Sequence, residues 1–376
     1  MNKISRLAGA LWRQFYAMPL AVVLCPRLRI LAAFLALSDK NLLTYFSMKT
    51  FLISTFLLVA GVASVRACDT CGCEYCEPGA LKDLAFGYET SATQSYFFAS
   101  LAEQYTDYGT LKNVPVGASL NQFERSAITQ FILGYQINDS LSVQVNLPYI
   151  YRWYRNMNFT GTASNSGQSD GFGDISVVAN YIVLRKEAAD WGYTWRVSGG
   201  VKLPTGDATP LDLESPTAAP SPMNSPFSAI GGHDIALGSG SVDGIIATGV
   251  NVNWQKTFFS ADIDYAIRGT GRADYRYSNE LSWSGGPGYR VFENDDLTVS
   301  LQLLATGEYK AADTIQGTTT DDTMVNSVSL GPKVLVNWAK HLTANFALEL
   351  PVSQRYDPGF QALPTYRLKA GLSFRF

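Results

Sequence analysis

Apolar and polar side chains alternate strictly along the last eleven residues of the chain, 366–376. One row holds Tyr366, Leu368, Ala370, Leu372, Phe374 and Phe376, and the other holds Arg367, Lys369, Gly371, Ser373 and Arg375. Because successive side chains of a β-strand point to opposite faces, this pattern predicts one apolar face and one polar face. A tilted strand of about 9–11 residues is long enough to cross the hydrocarbon core of a bilayer.

The same alternation recurs from Ser126 onward, and the alternating segments are separated in turn by short turns and by long polar loops. We predict strands near 84–97, 123–137, 141–154, 171–184, 193–205, 241–254, 257–268, 278–291, 297–310, 323–338, 342–353 and 365–376. For the first strand, Tyr96 to Tyr108 is the alternative. The long loops are predicted at 155–170, 206–240, 269–277, 311–322 and 354–364. Short and long connections in alternation are typical of bacterial outer-membrane proteins. The prediction is therefore an all-β fold, a transmembrane antiparallel up-and-down β-barrel of about 12 strands over residues 84–376.

A soluble β-sandwich would also alternate, but its strands usually run about 5–6 residues, roughly half the length predicted here. Outward rows of Tyr, Trp and Leu would give a soluble protein an extensive apolar surface. The composition agrees with a membrane barrel, since only 16% of the residues are charged and 12% are aromatic. The net charge of −3 and the lack of a basic cluster predict no nucleic acid partner.

The chain ends on an aromatic residue, Phe376. This ending resembles the assembly signal of outer-membrane β-barrels, in which an aromatic terminus closes the last strand. The resemblance implies that Phe376 is recognised by the barrel-assembly machinery. It also implies localisation in the bacterial outer membrane, with membrane lipid and a small-molecule solute as the other partners.

The amino terminus has the layout of a secretory signal peptide. Met48-Lys-Thr precedes an apolar run, and the small-residue site Val65-Arg-Ala67 follows it. We predict that residues 1–67 are a leader, comprising 1–47 from an upstream start assignment and the signal peptide 48–67; a long unusual leader is the alternative. Residues 68–83 would then form a Cys-rich periplasmic segment before the barrel.

Four cysteines lie within nine residues of this segment, at Cys68, Cys71, Cys73 and Cys76. In an oxidising periplasm they are expected to form two disulfides. Four thiolates so close together could instead bind Cu(I) or Zn(II). Lipidation of Cys68 would leave three thiols. No other cofactor is predicted.

The inner rows of the predicted strands carry charges of both signs. The candidates for lining the lumen are Arg152, Asp174, Arg196, Lys202, Asp262, Asp264, Glu308, Glu349, Arg367 and Lys369. Such residues either pair with one another and stiffen the wall, or line a solute path and set its selectivity.

Three strings go beyond general barrel patterning: Asn146-Leu-Pro-Tyr149, Gly171-Phe-Gly-Asp-Ile175 and Lys202-Leu-Pro-Thr-Gly-Asp207. In this order the chain resembles outer-membrane proteins described as transporters of the meta-pathway of phenol degradation. The resemblance covers residues 84–376 and implies a channel for small, hydrophobic or aromatic solutes.

Three other functions compete with a channel. A barrel enzyme with a Ser–His pair would have to use His233, in a predicted outer loop, or His341, in a predicted turn. Neither position suits a strand-borne nucleophile, so we predict no catalytic residue and no enzyme. A barrel that handles Cu or Zn through its cysteine cluster is the alternative function, and a purely structural barrel is the third.

The leader prediction is tested by the mass of the amino-terminal peptide of the mature protein. We expect the peptide to begin at Cys68 and to gain the mass of four hydrogens on reduction, because two disulfides open. A peptide that begins upstream of Cys68 would contradict the cleavage site. A peptide whose mass does not change on reduction would contradict the disulfides, and a lipid adduct would identify lipidation.

Overall fold

The computed structural model describes residues 95–110, 122–158, 163–221, 224, 228, 230–320, 323–339, 341–356 and 364–376. The predicted leader 1–67, the cysteine segment 68–83 and residues 84–94 lie outside the described residues and stay predictions.

The described chain is built of β-strands joined by turns and loops. They are β1 (Tyr96–Thr110), β2 (Phe123–Gln136), β3 (Leu141–Met157), β4 (Ser164–Phe172), β5 (Ile175–Glu187), β6 (Trp191–Leu203), β7 (Asp243–Trp254), β8 (Thr257–Ile267), β9 (Tyr275–Arg276), β10 (Glu280–Glu293), β11 (Leu297–Lys310), β12 (Thr314–Ile315), β13 (Thr318–Thr319), β14 (Val325–Trp338), β15 (Leu342–Tyr356) and β16 (Tyr366–Arg375). Twelve of them form the barrel, and β4, β9, β12 and β13 lie in the loops between barrel strands.

Each barrel strand pairs with the next barrel strand along the chain, and every pairing is antiparallel. The cylinder closes where β1 pairs with β16, for example Leu101 opposite Leu372. Beyond that register, the backbone N–H of Phe376 donates to the carbonyl of Phe97 at 3.0 Å, and Phe97 N–H donates to Phe376 at 3.2 Å. The predicted fold class, a closed antiparallel barrel of twelve strands, is confirmed.

The first strand was predicted at 84–97, and this position is wrong. The strand that pairs with both β16 and β2 is Tyr96–Thr110, which was the alternative. Its alternation runs through fifteen residues and places Phe98, Ser100 and Gln104 on the buried row. The pattern alone cannot decide between two overlapping segments with similar periodicity. The pairing with β16 identifies which of them is the strand.

The barrel wall has one apolar face and one polar face. On β3, Val145 is 43% exposed and faces outward, whereas Gln144 is 2% exposed and faces inward. The outward row of the other strands includes Leu133, Ile246, Ile263, Leu303 and Phe346, all about half exposed. Outward aromatic residues stand beside the short turns, namely Trp191, Trp254, Trp338 and Phe376. An apolar band bounded by aromatic residues is the surface that a barrel presents to lipid.

Three predicted loops contain strands. β3 continues to Met157 and pairs with β4, from Tyr149 opposite Phe172 to Met157 opposite Ser164. The two form a hairpin that extends beyond the barrel wall on the side of the long loops. β12 pairs with β13 and with β9, and these form a separate small sheet over the loops 269–277 and 311–322. These segments were predicted as loops because their residues are polar; their pairing depends on backbone hydrogen bonds, which composition does not reveal.

The facing of β3 is tested by the substitution Val145→Arg. We expect it to lower the free energy of unfolding from lipid vesicles by about 2–4 kcal/mol, because an arginine would face hydrocarbon near the middle of the bilayer. The control Val145→Leu keeps the outward side chain apolar and should change stability little. Equal costs for the two variants would show that Val145 does not contact lipid.

Candidate functional site

All ten charged residues predicted for the lumen lie on the inward face of the wall or at its outer rim, and all but one are buried. They are Arg152, Asp174, Arg196, Lys202, Asp262, Asp264, Glu308, Glu349, Arg367 and, half-buried, Lys369. Three ion pairs join neighbouring or nearby strands: Arg196 with Asp262 at 3.0 Å, Arg367 with Glu308 at 3.4 Å and Lys369 with Glu349 at 2.9 Å. A buried charge is costly unless it has a partner, so these pairs stiffen the wall where they lie.

Among the described residues, an ionic cluster of five side chains lies at the loop-bearing end of the barrel, and we call it the outer-end ion network. Lys202 Nζ lies 3.0 Å from Asp174 and 2.7 Å from Asp243. Arg268 contacts Asp243 at 3.2 Å and Glu280 at 2.7 Å. All five side chains are at most 5% exposed, so water screens their interactions weakly.

The loop 206–240 is tied to this network at both of its ends. Asp174 accepts hydrogen bonds from the backbone N–H of Gly206 at 2.9 Å and of Ser239 at 2.9 Å. Lys202 donates to Ser239 Oγ at 2.9 Å. One carboxylate therefore holds the beginning and the end of the loop together, and Lys202 neutralises that carboxylate.

Two of the three sequence strings meet at this point. Thr205, from the string 202–207, donates its hydroxyl to the carbonyl of Gly173 at 3.1 Å and accepts from the N–H of Ile175 at 2.8 Å. A Cβ on Gly238 would lie 2.5 Å from an Asp174 oxygen, so glycine permits this close approach. Both strings therefore have a structural role, since they anchor the loop to the rim.

The described part of the loop carries a 3₁₀-helix, Thr209–Glu214, and a short helix, α1 (Gly232–Ile235). Ile230 is buried against Tyr108 of β1, whereas Leu211 is buried against Tyr275 and Ile315 of the small loop sheet. On α1, His233 Nδ1 lies 2.9 Å from Glu214, and its Nε2 lies 3.5 Å from Asp234. Burial lowers the pKa of His233, but the carboxylates of Asp234 and Glu214 outweigh burial and raise it to about 10. The ring is therefore cationic at physiological pH and holds α1 to the 3₁₀-helix.

Two apolar clusters lie on the inner wall of β1, β2 and β3. Phe98 and Ile132 pack together near the short turns, and Ile128, Ile150 and Leu237 pack together nearer the loops. The buried polar side chain of Gln130 lies between Ile128 and Ile132 on the inward row of β2, so the two clusters are separate. The paired charges lie on β6, β8, β11, β15 and β16, and β16 adjoins β1, so apolar and charged parts of the inner wall are neighbours.

Sequence reasoning missed Glu124, Asp243, Arg268 and Glu280 as inward-facing groups. Glu124 is in phase with Ser126 and Gln130 on the polar row of β2, so the period of two could have found it. The other three lie at or next to strand ends but inside the predicted strands 241–254, 257–268 and 278–291, so the same period could have found them too. Among the described residues no group of three or more His, Cys, Asp or Glu could hold a metal, and the four cysteines lie outside them.

The fold matches solved outer-membrane structures. The crystal structure of an outer membrane channel from Pseudomonas putida F1 aligns with 75% of this chain and 96% of its own, at 13% identity and a TM-score of 0.51. The KdgM porin and the NanC porin align with 74% of this chain at 9% and 11% identity, covering 99% and 100% of their own chains, with TM-scores of 0.35 and 0.36. No family model and no curated protein matches the sequence. The resemblance to the phenol-degradation transporters is therefore not confirmed and stays a prediction.

The closed cylinder, its lipid-facing band and this likeness define the class of protein. The chain is a β-barrel of the bacterial outer membrane, as predicted. Its outer end is organised by the outer-end ion network and the loop that this network holds.

The network is tested by Lys202→Met. We expect the free energy of unfolding to fall by about 3–5 kcal/mol, because two buried carboxylates would lose their shared cation. Protease cleavage within 206–240 should become faster in the folded protein. The matched control is Arg272→Met, which removes an exposed pair with Asp212 from the same region and should change stability little. Equal effects of the two variants would contradict the anchoring role.

Proposed function

We propose that the protein is an outer-membrane channel for small solutes. The observation that carries the proposal is the sorting of side chains on one closed wall, with apolar groups toward lipid and polar or charged groups inward. Barrels of about eight strands are filled by side chains, whereas those of 16–18 strands leave a wide aqueous channel. Twelve strands fall between these cases, and the loop 206–240 narrows the outer end.

Small hydrophobic or aromatic solutes are the class we assign to the channel. Two features support this assignment: the three sequence strings with their family resemblance, and the apolar cluster of Ile128, Ile150 and Leu237. Aromatic molecules would pack against this cluster while the ion pairs of the wall stay intact. Fold alone does not determine substrate, so the assignment depends on these side chains.

A metal-handling role through Cys68, Cys71, Cys73 and Cys76 is the second candidate, and it rests on the sequence alone. An enzymatic role has less support. His233 is held in ion contacts by Glu214 and Asp234, and His341 lies in the turn between β14 and β15. Neither histidine is placed as the base of a nucleophile on a strand.

The channel is tested by conductance in planar bilayers. We expect discrete current steps with the purified protein and block of these steps by benzyl alcohol. Ile150→Asn should weaken the block about fivefold, because it removes roughly 1 kcal/mol of apolar contact. The control Ile150→Leu keeps the wall apolar and should leave the block unchanged. A protein that inserts but carries no current would contradict the channel itself, and equal block of both variants would contradict the aromatic solute.

A further inference from the structure

Two arginines lie side by side on the outward row of the barrel, at its loop-bearing end. Arg125 is on β2 and Arg155 is on β3, and their guanidinium carbons lie 5.1 Å and 5.4 Å from the centre of the same ring, that of Phe123. Phe123 stands opposite Arg155 in the sheet, and Arg125 is the next residue on the outward row of β2. An aromatic face holds a guanidinium in place without using its hydrogen-bond donors.

Each of these guanidiniums is tied to the wall through its Nε atom. Arg125 Nε donates to Asp107 at 3.0 Å, and Arg155 Nε donates to the hydroxyl of Ser166 at 3.1 Å. Within the part of the chain that the structure describes, the Nη atoms of the two side chains make no hydrogen bond and no carboxylate pairs with Arg155. The side chain of Arg125 is 46% exposed. The terminal nitrogens of both groups are therefore available to an anion outside the wall.

The two arginines lie at the outer edge of the band that faces lipid. Tyr135 and Arg125 are near opposite ends of β2, and along a strand tilted by about 40° they are roughly 25 Å apart across the membrane. The apolar band of a membrane barrel is about 25 Å tall. Arg125 and Arg155 are therefore level with the lipid headgroups on the side of the long loops, which is the external side of an outer-membrane barrel.

Basic residues are concentrated on this side of the barrel rim. On β5, β6, β7, β8, β10 and β11, the described outward side chains at the same end are uncharged, for example Leu203, Ile267 and Tyr309. The arginine pair is thus a local feature of β2 and β3 and does not belong to a uniform ring of charge.

The outward carboxylates nearby already have partners. Among the described residues of β1 to β4 they are Asp107, which pairs with Arg125, and Asp170 and Glu103, which accept hydrogen bonds from hydroxyl groups of neighbouring strands. The register places Asp170 and Glu103 nearer the hydrocarbon than both arginines. At the outermost level of the wall, two guanidiniums therefore stand against one carboxylate, and an anion is needed to balance the charge.

A depression on the outer surface leads from the arginines toward the apolar band. Ala127 follows Arg125 on the outward row of β2, and it stands between Tyr105 of β1 and Tyr151 of β3. One small side chain between two large ones leaves a shallow groove, because directly opposite residues are the nearest neighbours on a sheet face. Further along the same row lies the exposed ring of Phe131. The groove therefore has an arginine pair at its outer end and an apolar side chain at its inner end.

The hairpin of β3 and β4 adds neutral polar groups beside the arginines. Ser166 and Gln168 are exposed on the outward row of β4, opposite Arg155 and Trp153. The hydroxyl of Ser166 accepts from Arg155 and keeps its own proton to donate. Hydroxyl and amide groups next to an aromatic ring suit the hydroxyl groups of a sugar, so they favour a headgroup built on a sugar over the smaller headgroup of a phospholipid.

We propose that Arg125 and Arg155 form a binding site for a phosphorylated glycolipid of the outer leaflet. Its phosphate accepts from the Nη atoms of both guanidiniums, because arginine binds phosphate through charge-assisted hydrogen bonds. Its sugar contacts Ser166 and Gln168, and one acyl chain lies over Ala127. The site is on the outer face of the wall, so the inference does not depend on the passage of a solute through the barrel.

The arginine pair is tested by native mass spectrometry of the full-length protein, refolded into detergent and titrated with diphosphorylated lipid A. We expect saturable binding that weakens about tenfold or more when Arg125→Gln is combined with Arg155→Gln, since the charge-assisted hydrogen bonds are lost. The matched control is Arg185→Gln, which removes a partly exposed arginine, 3.9 Å from Glu187, at the short-turn end. This control should bind lipid A normally.

The groove is tested by Ala127→Trp, which fills the depression and leaves the charges unchanged. We expect lipid A to bind about fivefold more weakly, because the acyl chain loses part of its apolar contact. Leu133→Trp, the same new side chain at an exposed position of the same outward row, should leave binding unchanged. Unboiled gel mobility confirms that each variant is a folded barrel.

The chemistry of the ligand is tested with two further lipids. Lipid A without its phosphates keeps the sugars and acyl chains, and phosphatidylglycerol keeps a phosphate without the sugars; both should bind the unaltered protein at least several-fold more weakly than lipid A. Equal binding of either lipid would overturn the proposal. Normal binding by the folded double arginine variant, or equal weakening in Arg185→Gln, would overturn it as well.

Discussion

Hydrogen bonding of the backbone within hydrocarbon is the constraint on which the rest of this structure depends. A backbone N–H or C=O that faces lipid has no water to bind, so the sheet must close on itself. The pairing of β1 with β16 provides that closure, and the terminal Phe376 extends it through two hydrogen bonds with Phe97. Once the cylinder is closed, the period of two assigns every strand residue either to lipid or to the interior. The inner charges are a consequence of this sorting, since a charged residue near the middle of the bilayer is costly on the outer face of a spanning strand.

The interior imposes a second condition, because charges hidden from water must find partners within the wall or the loops. Most of them find partners on other strands, as Arg196 does with Asp262. At the rim, the partners also include backbone groups of the loop 206–240, so the ions that stabilise the wall also fix the loop. Asp174 shows this most directly, since it binds Lys202 and the N–H groups of Gly206 and Ser239. The shape of the outer end therefore follows from the same electrostatics as the stability of the wall.

The fold could be predicted from the sequence because alternation is a local property. Eleven of the twelve predicted barrel strands coincide with the observed ones over most of their length, the first shares only residues 96–97 with β1, and Leu297–Lys310 matches its prediction at both ends. Features that depend on tertiary contact could not be predicted. The first strand was identified only by its pairing with β16, and the strand pairing of Ser164–Phe172 leaves no trace in a polar composition. Likewise, the charged candidates could be assigned to the inner row, but their partners depend on which strands and loop residues the register brings together.

The placement of Arg152 depends both on the local sequence pattern and on a tertiary contact. Its position on the inner row of β3 follows from the pattern, whereas its contact with Ala236, 84 residues further along the chain, follows from the folding of the loop. Because a guanidinium is planar and has its donors in a fixed fork, the hydrogen bond from Nη1 to the loop fixes the orientation of the whole group. The inner face of β3 and the end of the loop 206–240 are thus joined through one rigid side chain. The position of this part of the loop is therefore physically coupled to the inner wall, because both depend on the orientation of one planar group.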